Sequence, residues 1–157
     1  MERSRKMSKI FLEPLKKSHI EGIIRIESLC FSVPWSKEAF LQELNNEIAY
    51  YLVAIDHGQV LGYGGMWIIL DEAHITNVAV TPMRQREGIA KDIVEGLIKR
   101  ADEFNVLAMT LEVRMSNQTA IDLYKKFHFE EAGIRKGYYE NNNENALIMW
   151  RKRGELR

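Results

Sequence analysis

The chain has 157 residues, 46% of them hydrophobic and 28% charged, which suits one soluble domain with a sizeable core and leaves little room for two. Lys+Arg 22 against Asp+Glu 22 gives a formal net charge of zero, so overall charge does not argue for nucleic acid or an anionic membrane as partner, neither is expected, and any recognition of anions must be local. One cysteine, Cys30, excludes an internal disulfide and fits a reducing compartment, and no apolar run approaches membrane-spanning length. The basic start "MERSRKMSK" leads into no signal-type apolar core. Residues 1–9 are therefore expected to be a loose leader, with Met7 as an alternative start, residues 10–152 one cytosolic domain, and residues 153–157 a tail.

In chain order, "IFLEPL" (Ile10 to Leu15) reads as a short strand, with Pro14 pointing to a sheet edge. Ser18 is the expected cap of a helix carrying Ile20, Ile23, Ile24, Ile26 and Leu29. "FSVPWS" (Phe31 to Ser36) breaks it, and Ser36 opens a second short helix with Ala39, Phe40 and Leu44. "YYLVAI", "DHGQ" and "VLGYGGMWII" form a hairpin pattern, and "HITNVAV" is the next strand. A helix follows with Ile89, Ile93, Val94, Leu97, Ile98 and Ala101 on one face. "VLAMTLEV" is a strand, and "NQTAIDLYKKF" a helix capped by Asn117 or Ser116. "HFEEAGIR" and "ALIMW" are two closing strands around a polar loop, "KGYYENNNEN". Strands and helices intermix, so the fold class is α/β or α+β with a mixed sheet.

The bend in "VAVTPMRQREGIA" (Val78 to Ala90) invites a test for anion binding. It lacks the Gly-Lys-Ser/Thr of a phosphate loop, and Gly88 alone does not make a dinucleotide fingerprint. What remains is a Q-x-x-G-x-A pattern, Gln85 to Ala90. A glycine and a small residue at a helix start let a ligand approach open N–H groups, and Arg84, Arg86 and Lys91 add positive charge. Taken alone, an ordinary strand-to-helix turn with a solvated basic rim explains the segment better.

A second stretch changes that balance. "NVAVTPMRQREGIA" followed by "LEVRMSNQTAIDLYKKFHF" resembles the paired core motifs of the GCN5-related N-acetyltransferases, and the element order matches that family from Ile10 to Trp150. The resemblance implies one domain with a mixed, mostly antiparallel sheet of six or seven strands flanked by about four helices. It implies acetyl-coenzyme A as cosubstrate, with no metal. The pyrophosphate would lie on Arg86, Glu87, Gly88, Ile89, Ala90 and Lys91, the pantetheine arm along Val78, Ala79 and Val80, and Asn117 beside the thioester. "FSVPWS", "LDEAHITNVAV", "TLEVRMSN", "GIRKGYY" and "ALIMW" resemble one branch of the family, which acetylates the N-terminal alanine of a small-subunit ribosomal protein. The implied partner is thus a protein N-terminus. The chain departs from the family pattern at Ala90, at His128 before Phe129, and at Glu140 after Tyr139; the last, with the Asn-rich loop, bears on peptide recognition.

The chemistry asks for particular groups. An α-amine with a pKa near ~8 must lose a proton before it attacks a thioester, and a nearby carboxylate can take it. The departing thiolate benefits from a proton donor such as a phenol. Glu112 lies in the apolar run "MTLEVRM" at the carboxyl end of a strand, and the resemblance implies that it is the base. It implies Tyr124 as the acid, although Ala120, Tyr124 and Phe127 share a helical stripe that favours packing. Phe31, Pro34, Trp35, Tyr138 and Tyr139 are expected at the substrate mouth, and Glu72 is the reserve carboxylate. Asn117 is equally explained by helix capping, Cys30 as a buried structural thiol, and His74 and His128 lack partners at metal-ligand spacing. Two other readings stand beside the peptide N-acetyltransferase. One is an acetyltransferase for a small amine; the other is a non-catalytic module that binds acetyl-coenzyme A, which would need neither Glu112 nor Tyr124.

Overall fold

The computed structural model describes residues 10–153; the expected leader, and all of the expected tail but Arg153, lie outside the described residues. Seven strands form one sheet: β1 (Phe11–Pro14), β2 (Ala49–Asp56), β3 (Gln59–Ile69), β4 (Glu72–Val80), β5 (Ala108–Arg114), β6 (Glu130–Tyr139) and β7 (Glu144–Lys152). Their spatial order is β1-β2-β3-β4-β5-β7-β6. Every neighbouring pair is antiparallel except β4 and β5. A parallel pair needs a crossover, and here that crossover carries a helix, α3 (Ile89–Glu103). The other helices are α1 (Ile20–Cys30), α2 (Lys37–Leu44) and α4 (Gln118–Lys126).

The sheet is buried on both faces around β2, because alternate residues of a strand point to opposite sides. Leu52 and Ala54 join the core under α3, while Tyr51, Val53 and Ile55 join a second core with Ile20, Ile23 and Ile26 of α1 and Phe40 of α2. The buried residues of α3 are Ile89, Ile93, Val94, Leu97, Ile98 and Ala101, the stripe its periodicity predicts. The helix packs so closely that a Cβ on Gly64 would stand 2.4 Å from the Ile93 Cγ2.

One irregularity opens the site. Pairing between β4 and β5 is confined to Glu72↔Ala108, Ala73↔Met109 and His74↔Thr110. Past that point β4 carries a bulge: Gly65 pairs with Asn77 and Met66 with Ile75, which leaves Thr76 as the extra residue. The carboxyl halves of β4 and β5 then line opposite sides of a cleft.

Several local expectations need correction. Ser18 does not cap α1; it lies in a short 3-10 turn (Lys17–His19), and His19 stands at the cap without a side-chain hydrogen bond. Leu29 is exposed rather than part of the apolar stripe. "KGYY" is not loop but the end of β6, because β6 and β7 pair as far as Tyr139↔Glu144. Ser36 and Asn117 do cap, accepting from the N–H of Ala39 and of Ala120 at 3.1 Å each. His128, where the family pattern has glycine, takes a φ of 71°, the left-handed region that glycine enters most easily.

Candidate active site

The cleft between the parted strands has a volume of about 970 Å³. Ile75, Thr76, Asn77 and Val78 of β4 line one side, and Leu111, Glu112, Val113 and Arg114 of β5 the other. Phe31, Val33 and Trp35 close it from the α1–α2 loop, Tyr124 and Asn117 from α4, and Tyr138 and Tyr139 from β6. Of the sequence-based candidates, Glu112, Tyr124, Val78, Asn117, Phe31, Trp35, Tyr138 and Tyr139 meet in this one cavity. Pro34 and Glu72 do not line it: Pro34 sits between two lining residues, and Glu72 lies at the paired end of β4 opposite Ala108.

Strand alternation puts Glu112 there. Met109, Leu111 and Val113 are buried in the core, which turns Thr110, Glu112 and Arg114 to the other side. The Glu112 carboxylate is 10% exposed and holds two partners: His74 Nε2 at 2.7 Å from Oε1, and Arg135 Nε at 3.5 Å from Oε2. In the sequence His74 has no partner at metal-ligand spacing. The missed signal was register: His74 faces Thr110 across a parallel pair, so its side chain and that of Glu112, two residues on, emerge on the same side.

Tyr124 is buried, its ring set edge-on to Phe129 with centroids 5.6 Å apart. The ring thus packs in the core, as the helical stripe implies, while the residue also lines the cleft. Burial, reinforced by the neighbouring Tyr139, pushes its phenol well above the usual value, so it stays protonated at neutral pH. Tyr139 is likewise pushed up to about 12, by burial first and then by Tyr138. Adjacent strand residues normally face opposite ways. Here a register shift between Arg135 and Tyr139, with Gly137 at a φ of 61°, lets both tyrosines line the cleft with their rings 5.0 Å apart. Arg114 lies over the Tyr139 ring at 4.0 Å and holds the following loop through Asn141, Asn142 and Glu144 at 2.9, 3.1 and 3.0 Å.

At the far end of β4, Gly88 caps α3 with a φ of 81° and ψ of 10°, and no side chain bonds the first N–H groups of the helix. Those groups are free to meet an anion. A Cβ at Gly88 would meet nothing within 4 Å, so glycine is favoured there by the left-handed backbone and not by crowding from the protein. Arg84 is not available as supposed: it bonds Glu87 at 2.8 and 3.0 Å and Asp56 at 3.3 Å. Arg86 and Lys91 are the cations left at the bend. Among the described residues no group of three His, Cys, Asp or Glu could hold a metal ion, and no helix is long and apolar enough to cross a membrane.

The profile of the acetyltransferase (GNAT) family matches residues 20–129. The [ribosomal protein bS18]-alanine N-acetyltransferase of Escherichia coli K12 is 31% identical over 88% of this chain and 94% of its own. A Bacillus subtilis protein, given the same name provisionally, is 38% identical over 91% of this chain and 95% of its own. The crystal structure of the ribosomal-protein-S18-alanine N-acetyltransferase from Escherichia coli superposes with a TM-score of 0.84 at 31% identity, covering 91% of this chain and 93% of that one. The profile spans more than half of the chain and the relatives and fold match about nine-tenths of it, and the chain belongs to the GNAT family of acetyltransferases.

Proposed function

We propose that the protein moves the acetyl group of acetyl-coenzyme A onto the N-terminal amine of a protein, with the N-terminal alanine of ribosomal protein bS18 as its substrate. The observation that carries the reading is that Glu112 and Tyr124, from β5 and α4, line a single cleft. The relatives named for bS18 support the choice of substrate.

In this reading the bend Arg86–Lys91 receives the pyrophosphate on open helix N–H groups, with Gly88 giving the turn and Arg86 and Lys91 the positive charge. Val78, at the cleft wall, and Ala79 and Val80 beyond it guide the pantetheine arm. Asn117 serves both as helix cap and as a cleft-wall residue near the thioester. Phe31, Trp35, Tyr138 and Tyr139 receive the peptide end, with Pro34 shaping the loop between them.

Glu112 takes the proton of the ammonium, directly or through a water, and the neutral nitrogen attacks the thioester carbonyl carbon. The His74 and Arg135 contacts fix the carboxylate so that its orientation is set before the amine arrives. After attack the nitrogen carries a positive charge and sheds a second proton to water, and the C–S bond breaks with its electron pair staying on sulfur, which leaves a neutral amide. A phenol that burial raises above its ordinary ~10 is a weaker acid than an ordinary thiol, so full transfer of its proton to the departing thiolate is uphill. Tyr124 therefore acts by donating a hydrogen bond to the sulfur as charge develops, and the thiolate is protonated later from solvent.

The test is transfer from labelled acetyl-coenzyme A to a panel holding Ala-starting peptides, peptides with other first residues, polyamines and aminoglycosides. Ala-starting peptides should be acetylated fastest. Faster acetylation of a polyamine or aminoglycoside would replace the peptide reading, and cofactor binding with no transfer would favour a sensor.

A further inference from the structure

Glu27 is a buried carboxylate to which the mechanism above gives no role. It sits on α1, is 2% exposed, and lines the cleft. Burial pushes its carboxyl up, and the Trp35 N–H pulls the other way. Among the described residues no cation pairs with it. A buried carboxylate held without a counter-charge contributes little to stability compared with an apolar side chain of its size.

Both of its oxygens are engaged, and on different walls. Oε1 accepts the backbone N–H of Trp35 at 2.7 Å, the end of the loop that closes the cleft from the peptide side. Oε2 accepts the hydroxyl of Tyr63 on β3. That hydroxyl accepts in turn from Asn77 Nδ2 at 3.4 Å, and Asn77 Oδ1 accepts the Thr76 hydroxyl at 2.8 Å. Thr76 and Asn77 form the β4 bulge and face the cleft from the cofactor side. One carboxylate thus joins the peptide-side loop to the irregular part of the cofactor-side strand.

We propose that Glu27 is a positioning residue that sets the spacing between the Trp35 loop and the Thr76–Asn77 bulge, and so the alignment of amine with thioester. The inference rests on reading the cleft as the acetyl-transfer site. Misplacement of reacting groups by about 1 Å can cost on the order of 100-fold in rate, so a modest shift of either wall is enough to be measured.

Two variants separate the arms. Tyr63→Phe cuts the link to the bulge and leaves the Trp35 bond intact. Glu27→Leu cuts both; Glu27→Gln keeps an acceptor for Trp35 and offers an amide N–H to the Tyr63 oxygen. Steady-state kinetics would use the amine that the parent acetylates fastest, with calorimetry for acetyl-coenzyme A. Tyr63→Phe should lower kcat roughly tenfold with the KM for the amine unchanged. Glu27→Leu should lower kcat and raise that KM, Glu27→Gln should recover most of the loss, and cofactor affinity should stay within about twofold of the parent. If Glu27→Leu does not fold, Tyr63→Phe still decides, because Glu27→Gln is expected near the parent. A parent kcat in Tyr63→Phe overturns the proposal while acetyl transfer by the parent stands. A parent that acetylates no amine at all removes the transfer reading, and with it the role of Glu27.

Discussion

Glu112→Gln keeps the shape of the side chain and removes its ability to take a proton. In the parent the carboxylate is held by His74 at 2.7 Å and by Arg135 at 3.5 Å, and it is only 10% exposed, so the replacement amide stays in place and the cleft keeps its form. A positioned general base contributes about 10²- to 10⁴-fold, and turnover should fall by that amount. The same chemistry sets the pH response. An α-amine with a pKa near ~8 is about 10% neutral at pH 7 and about 90% neutral at pH 9. The variant depends on amine that has already lost its proton, so its rate should climb close to tenfold across that interval, more steeply than the parent's. The assay is initial velocity against pH with saturating acetyl-coenzyme A and an Ala-starting peptide, with cofactor affinity measured separately and expected to stay near the parent value. Parent turnover in Glu112→Gln, or a pH profile no steeper than the parent's, would refute Glu112 as base. His74, in contact with Glu112 on the neighbouring strand, is then the group to replace next.

Tyr124→Phe should also lower turnover, but without rescue at higher pH, because the amine proton is not its concern. Its hydroxyl has no hydrogen-bond partner among the described residues, so thermal stability should move by no more than about 1 kcal/mol; parent turnover would leave Tyr124 a packing residue only. Gly88→Val should weaken acetyl-coenzyme A binding in calorimetry by a large factor, since a branched side chain in the left-handed region costs on the order of 1–2 kcal/mol and stands where the ligand must approach. Unchanged affinity with an intact fold would count against the bend as the pyrophosphate site. Hydrogen bonds from Ser116, ahead of Arg114 and Asn142, hold the Glu144 carboxyl down at about 2 from 4.5. A lowered carboxyl stabilises the folded state above its unfolded value and loses that effect as pH falls through the folded one. The melting-temperature gap between parent and Glu144→Gln should be full above 4.5 and close as pH falls towards about 2. A gap that ignores pH would contradict this.

Periodicity recovers what depends on one face of one element. The α3 stripe is readable because a helix at a sheet must bury every third or fourth residue, and the residues buried are those the spacing predicts. The Ser36 and Asn117 caps are readable for a similar reason, since the bond closes within three residues. The errors lie where geometry depends on a distant partner. "KGYY" reads as loop from its composition, yet it is strand because β7 pairs with it. Arg84 reads as a free cation until the fold brings Asp56 to 3.3 Å of it, twenty-eight residues away in sequence. His74 and Glu112, thirty-eight apart, meet only because β4 and β5 are parallel neighbours in a register that no local pattern records.

The bulge at Thr76 was equally hidden, and it has the largest consequence. Two parallel strands with complete pairing would bring their backbones to about 4.8 Å and leave no space for a substrate. Pairing that stops at His74↔Thr110, next to an extra residue in β4, turns the carboxyl ends of both strands into opposite walls. Glu112 and Tyr124, the groups proposed for acetyl transfer, can be named from the sequence. Where those groups meet is decided by the residues that hold the irregular strand in place, Asn77, Tyr63 and Glu27, and these carry no motif of their own.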